Sequence, residues 1–265
     1  VEAYNEFGFI LMYYAPLAYN MYLKGILNET ISRRGTSDVF YFSKNHKEID
    51  CKSNTLFEHR KACYMENPPK FTKSNWTPPP YKKHFKNDTF IYDKPILTIH
   101  NKINKEWGNR GIFNYIDSDS LYKLFKEFKE KYQIIYIRPI SDSLEKGYVS
   151  DERQQLVDIG DLEIIKNEFQ NVIWIGDLLD EYKMTYNEMQ FKILANSDHH
   201  ISPAGDSVIP CYFGGDVIVY KHPDCVSSNR KIWNSNSWLK LLSGSNIHSC
   251  VSYDKLINEA IKLWK

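Results

Sequence analysis

Four short stretches carry the residue types that could bind and process a charged ligand. These are His100-Asn101-Lys102, Arg138, Gly176-Asp177 and the loop Ser202-Pro203-Ala204-Gly205-Asp206-Ser207. Lys102 and Arg138 can pair phosphate oxygens, Gly205 admits close backbone approach, and Ser207 can donate at a helix N-terminus. Together they suit an anion of the size of a diphosphate. Glu6, in Asn5-Glu6-Phe7-Gly8, stands in a loop ahead of a helix, from which a carboxylate could reach across a cleft and take the proton of an attacking hydroxyl. Asp206, His100 and Asp38 are further candidates for that base. The pair His199-His200 reads as satisfied surface or core histidines. Asp117-Ser118-Asp119 has the spacing of a metal-holding Asp-x-Asp triplet but lies at a helix start, where acids cap amides and complement the dipole, so capping is the expectation. Neither a Gly-x-Gly-x-x-Gly fingerprint nor a Gly-x-x-x-x-Gly-Lys-Ser/Thr loop is present, which removes the usual dinucleotide and ATP signatures.

The elements that must position these residues are most legible after Pro95. Strands are predicted at Ile96–His100, Ile134–Arg138, Asn171–Ile175, Asp198–Ile201 and Asp216–Tyr220. Between them, Leu121, Leu124, Phe125, Phe128 and Tyr132 repeat at helical spacing, Leu162–Phe169 reads as a short helix, and Leu179, Tyr182, Tyr186, Met189 and Ile193 as one longer helix. A last helix carries Leu256, Ala260 and Leu263 on one face. This alternation is the rhythm of a parallel nucleotide-binding-type sheet, in which ligands sit beyond the carboxyl ends of the strands, where the four stretches fall. Upstream, Phe9–Lys24 reads as a buried helix and Asp38–Ser43 as a strand, followed by irregular, Pro- and Lys-rich text from 44 to 93.

Length and composition fit two unequal halves, with boundaries expected at 1–93 for an α/β domain with long Pro- and Lys-rich loops and 94–265 for the Rossmann-type domain. A net charge of +1 with mixed signs speaks against a protein held to nucleic acid by phosphate neutralisation. Five scattered cysteines contain no Cys-x-x-Cys pair and read as free thiols. The longest apolar stretch, Phe7 to Leu23, is broken by Pro16 and Asn20 and falls short of the ~20 residues a membrane span needs. Three sequons, at Asn28, Asn75 and Asn87, and a start at Val1 rather than Met are compatible with secretion after removal of a leader.

The segments Asn5-Glu6-Phe7-Gly8, Ile99-His100-Asn101-Lys102 and Ile201 to Ser207 together resemble a group of glycosyltransferases of large algal viruses, the chlorovirus capsid-glycan xylosyltransferase type. The last segment is also distantly similar to the Gly-Pro-His-Gly-Ala-Gly loop of plant xylan xylosyltransferases, with Ser202, Ala204, Asp206 and Ser207 at the departing positions. The resemblance implies a GT-B-like α/β fold of two Rossmann-type domains facing a cleft, the final helix packing back on the N-terminal domain. It implies transfer of a sugar, xylose first, from a UDP-sugar to a glycan hydroxyl, with inversion and with no metal or other cofactor. Donor contacts would fall on His100, Asn101, Lys102, Arg138, Pro203, Ala204, Gly205 and Ser207, catalysis on Glu6 or Asp206, and acceptor or cleft contacts on Gly8 and Trp107. The implied partners are the nucleotide sugar and an oligosaccharide or glycoprotein glycan, without nucleic acid or a membrane span, in the cytoplasm of an infected cell. The alternatives are a GDP-sugar donor, or a non-catalytic carbohydrate- or nucleotide-binding protein of the same fold.

Overall fold

The computed structural model describes residues 1–4, 7–50, 72–103, 112–140, 143, 156–205, 208–223 and 237–265. It is α/β with two parallel sheets, the GT-B-like layout expected above. The smaller sheet joins β1 (Glu2–Ala3), β2 (Thr30–Arg33) and β3 (His46–Ile49) in that order. The larger joins β4 (Ile96–His100), β5 (Gln133–Ile137), β6 (Ile173–Trp174), β7 (His199–Pro203), β8 (Asp216–Tyr220) and β9 (Asn246–Cys250) in the order β6-β5-β4-β7-β8-β9. The chain thus starts in the middle, winds outward to β6, returns beside β4 and winds out the other way.

Near-continuous apolar runs such as Ile134–Ile137 and Val217–Tyr220 form strands buried on both faces, as a sheet covered by helices on each side requires. One face carries Leu97, Ile99, Tyr136, Ile201 and Ile218 against helices Ser118–Phe128, Asp161–Glu168 and Tyr253–Trp264. The other carries Ile96, Ile135, Ile137, Val217 and Val219. It packs on helices Ile175–Tyr182 and Tyr186–Ala195 and, in the same unbroken core, on Ile10, Leu11, Trp76 and Tyr81 of the N-terminal segment.

That N-terminal helix is anchored through a defect. Between its α-helical turns Phe7–Phe9 and Ala15–Leu23 lies a π-helical turn, Ile10–Tyr14, in which the Ala15 amide reaches back to Ile10 O and skips Leu11 O. Pro16, having no N–H, leaves Met12 O without its helical donor. Both stranded carbonyls are taken from outside: Tyr212 Oη donates to Leu11 O at 2.8 Å and Trp76 Nε1 to Met12 O at 2.8 Å. No helix among the described residues is long and apolar enough to cross a membrane.

Several elements differ from expectation for identifiable reasons. Residues 38–43 form turns instead of a strand, closed by Val39 N to Thr36 O and Ser43 N to Phe40 O. Their aromatic rings, which favour strands in isolation, are used in packing: Tyr41 stacks on His84 with centroids 3.6 Å apart, and Phe42 meets Tyr19 edge-on. The single helix expected across 179–193 is two, interrupted at Lys183 in the left-handed region and restarted by Thr185, whose hydroxyl accepts from Glu188 N. The edge strand β9 was not anticipated, since only Ile247 and Cys250 of it are buried. The terminal helix lies on β8, β9 and the Ser118–Phe128 helix. Leu256, Ala260 and Trp264 are buried there, and Leu263 packs against the same cluster, partly buried, as expected.

Two predictions arise from these joints. Gly215 leads into β8 at φ +72°, and a Cβ there would lie 2.2 Å from Asp198 O. Gly215→Ala is expected to cost about 2–4 kcal/mol by urea unfolding, because neither backbone can yield without breaking the Asp216 N to Asp198 O bond. At the second joint, Asn187 Nδ2 donates to Gly35 O, and Thr185 Oγ1 donates to Asp38 Oδ2 at 3.4 Å. Burial first, then the Glu188 carboxylate, pushes the Asp38 carboxyl up to about 6. The folded state therefore holds this proton more tightly than the unfolded chain, so its contribution favours folding below about pH 4 and is lost as pH rises through about 6. Asp38→Asn is expected to stabilise the protein at pH 7.5 by on the order of 1–2 kcal/mol and to leave stability at pH 3.5 unchanged. Equal effects at both pH values would contradict it.

Candidate functional site

The order of the large sheet reverses between β4 and β7, so the connections leaving these neighbours diverge to opposite sides and leave a crevice at their carboxyl ends. The ladder pairs Leu97 with His199, Thr98 with His200 and Ile99 with Ile201. It delivers His100-Asn101-Lys102 and Ser202-Pro203-Ala204-Gly205 to the same edge. Two stretches about a hundred residues apart, both singled out by residue type, are thereby adjacent.

The β7 loop is held from below and open above. Ala204 N donates to Tyr220 O at 2.6 Å, continuing the β7–β8 ladder. Gly205 follows at φ +111°, a conformation that side-chain-bearing residues rarely adopt, with nothing within 4 Å of where a Cβ would stand. Pro203 is buried, Ala204 half-buried and Gly205 exposed. Asp206 and Ser207 lie outside the described residues, as do Glu6 and Trp107. Gly8 is half-buried in the first helical turn of the N-terminal segment.

On the β4 side the candidates separate by burial. Lys102 is half-exposed at the crevice. Asn101 is turned into the protein, donating from Nδ2 to Ile116 O and Tyr136 Oη and accepting from Ile116 N, and so fixes the segment that leads into the Ser118–Phe128 helix. Arg138 is buried too, with 2% of its side chain exposed. Its Nε donates to Asp161 Oδ2 at 2.8 Å, and its terminal nitrogens donate to Pro139 O at 2.5 Å and Val157 O at 2.6 Å. Tyr136 Oη donates to the same carboxylate oxygen at 2.5 Å. Burial, then the Asp161 charge, raises the Tyr136 phenol well above its ordinary range. Arg138 thus acts in a buried network beneath the edge, where its guanidinium is committed to protein acceptors. The partner that commits it, Asp161, was not singled out from sequence. A carboxylate opening an amphipathic helix looks like an ordinary first-turn acid, and nothing local marks it as fully buried.

The imidazoles sit deepest. His100 is 2% exposed, and burial pushes it down to about 3, so it is neutral at any working pH. His200 is fully buried, its Nδ1 2.7 Å from Thr98 Oγ1, and burial holds it well below the ordinary histidine range. His199, on the opposite face, packs edge-on against Tyr132 and Trp264. The expectation of satisfied histidines fails for both members of this pair, since His199 Nδ1 and His200 Nε2 are buried without a partner among the described residues. Asp117 is the N-cap of the Ser118–Phe128 helix, accepting from Ser120 N at 2.8 Å, as expected. Gly176 and Asp177 fall within the first turn of a helix instead of in a loop after the third strand. Among the described residues no three His, Cys, Asp or Glu side chains gather as metal ligands would.

No family model and no curated protein matches the sequence. Among solved structures, the fold is similar to that of the E. coli ADP-heptose LPS heptosyltransferase II. The two share 10% identity over 94% of this chain and 80% of that one, with a TM-score of 0.44.

Proposed function

We propose that this protein is a glycosyltransferase that moves a sugar, xylose first, from a UDP-sugar to a glycan hydroxyl, with inversion and without a metal. The observation that carries the reading is the meeting of the His100–Lys102 and Ala204–Gly205 stretches at the point where the order of the parallel sheet reverses, the place where such sheets take nucleotides. The similarity of these same segments to viral and plant xylosyltransferases supplies the substrate class.

In this reading the acceptor oxygen attacks the anomeric carbon as the bond from that carbon to the diphosphate oxygen breaks. The diphosphate leaves with the electron pair, and a carboxylate, Glu6 or Asp206, takes the acceptor proton. Charge then grows on the diphosphate. Lys102 meets it with a cation, and the exposed Gly205 backbone and Ser207 meet it with hydrogen-bond donors, doing what a metal does elsewhere. Arg138 has no direct contact here: it braces the edge through Asp161.

The test is a panel of UDP-, GDP- and ADP-sugars, read by thermal shift and by release of nucleoside diphosphate, with and without manganese. At a hundredfold excess over Kd, UDP-xylose is expected to raise Tm by roughly 5–10 °C and to release UDP in the presence of a glycan acceptor. Response to GDP-sugars alone would change the donor. A shift without release under any condition would make the protein a binding module. Silence across the panel would end the proposal.

A further inference from the structure

Central strands of a parallel sheet bury both faces and are ordinarily aliphatic. Here β4 and β7, the two most central, place Thr98 and His100 beside His200 and Ser202 on the face shared with the N-terminal segment, each of the four no more than 2% exposed. Thr98 pairs with His200 across the ladder and hydrogen-bonds to it, and His100, two residues further on, is its diagonal neighbour on the same face. Ser202 Oγ donates to Pro203 O at 3.3 Å. After these contacts one polar atom on each ring is left over: His100 Nε2 and His200 Nε2 are buried and have no partner among the described residues. Leaving two such atoms unpaired opposes folding, whereas aliphatic residues at both positions would not. The polar patch lies directly beneath the crevice where the order of the sheet reverses.

We infer that His100 and His200 together form a two-point hydrogen-bonding site for a hydroxyl group of the nucleotide-sugar donor, met through their Nε2 atoms directly or across one bridging water. The inference rests on the donor reading above and deepens it by naming the part of the ligand that is recognised. A hydroxyl both donates and accepts, so it can satisfy two imidazoles whose free nitrogens differ in protonation; a phosphate, which only accepts, meets both only when both nitrogens carry protons. The Thr98 contact leaves either tautomer of His200 available, so the pair can present one donor and one acceptor. Neutral rings bring no positive charge to the diphosphate, which is left to Lys102 and the Gly205 loop. Donor recognition is thereby divided into a charged rim and an uncharged floor.

The experiment uses the full chain labelled with 15N in its eight histidines. Long-range 1H–15N spectra are recorded with UDP, UDP-xylose and UDP-glucose, and binding is followed in parallel by calorimetry. Movement of the His100 and His200 Nε2 resonances with the UDP-sugars alone assigns the site to the transferred sugar, and movement with UDP as well assigns it to the ribose. Binding by calorimetry with both Nε2 resonances unmoved overturns the inference and leaves the donor reading intact. No binding of any of the three overturns both.

A pair of variants separates recognition from structure. His100→Phe removes the unpaired atom at similar volume, so the free protein is expected to be at least as stable while affinity for the donor falls about tenfold or more. His100→Gln, which returns a polar atom near the Nε2 position, is expected to hold affinity within about threefold. Unchanged affinity in His100→Phe would mean that the imidazole is only a core residue.

Discussion

Replacing Asp161 by alanine, at the start of the Asp161–Glu168 helix, is expected to cost about 3–5 kcal/mol and to lower the melting temperature by roughly 10 °C. Asp161 is fully buried, and Arg138, the cation it faces at 2.8 Å, is 2% exposed. Removing the carboxylate leaves that cation in the interior with backbone carbonyls only, and leaves the Tyr136 hydroxyl without its acceptor. The penalty arises from stranding a charge, since a buried pair in itself is worth little over an apolar one of the same shape. Arg138→Met combined with Asp161→Leu should therefore recover a large part of the loss. Urea unfolding of the three variants measures this. A cost below about 1 kcal/mol for Asp161→Ala would show that water reaches Arg138 and that the network does not brace the strand edge.

The second large effect falls on turnover. On the donor reading proposed above, Lys102→Ala is expected to lower kcat/KM for the UDP-sugar by about a hundredfold. Lys102 is half-buried immediately beyond β4, and loss of its charge should be felt at the step where the diphosphate acquires charge. Lys102→Arg keeps the cation and should recover most of the rate. The comparison with Arg138 is informative, because both are strand-end cations with the same appearance in sequence. Loss of the Lys102 charge should show in kcat/KM; loss of the Arg138 charge should also lower Tm, because it strands the buried Asp161. An unchanged kcat/KM in Lys102→Ala would move the diphosphate elsewhere.

Five of the six strands of the large sheet could be read from the sequence, four from apolar runs and β7, with its two histidines, from its place in the strand–helix alternation. The sixth, β9, could not, since an edge strand with two buried side chains is written in the same residues as a loop. The aromatic run at 38–43 misled for the opposite reason: its rings pack against Tyr19 and His84, and tertiary contact outweighs local strand preference. The π-helical turn was equally hidden. Pro16 announces a missing donor, but the acceptors' new partners, Trp76 and Tyr212, come from 60 and 200 residues away.

By itself the sequence determined that this chain builds a parallel α/β sheet, and it marked the residues at the strand ends that can meet an anion, because periodicity and residue chemistry are local properties. Only the tertiary structure decided that β7 returns beside β4, and therefore that the Lys102 and Gly205 stretches share one crevice. It also decided which marked residues face that crevice. Lys102 and Gly205 stay at the surface, while Arg138 and Asn101 are drawn inward by Asp161, Tyr136 and Ile116, and His100 and His200 are buried with a nitrogen to spare. Burial depends on what the rest of the chain packs against each position, and the same side chain is a ligand contact in water and a scaffold beneath it.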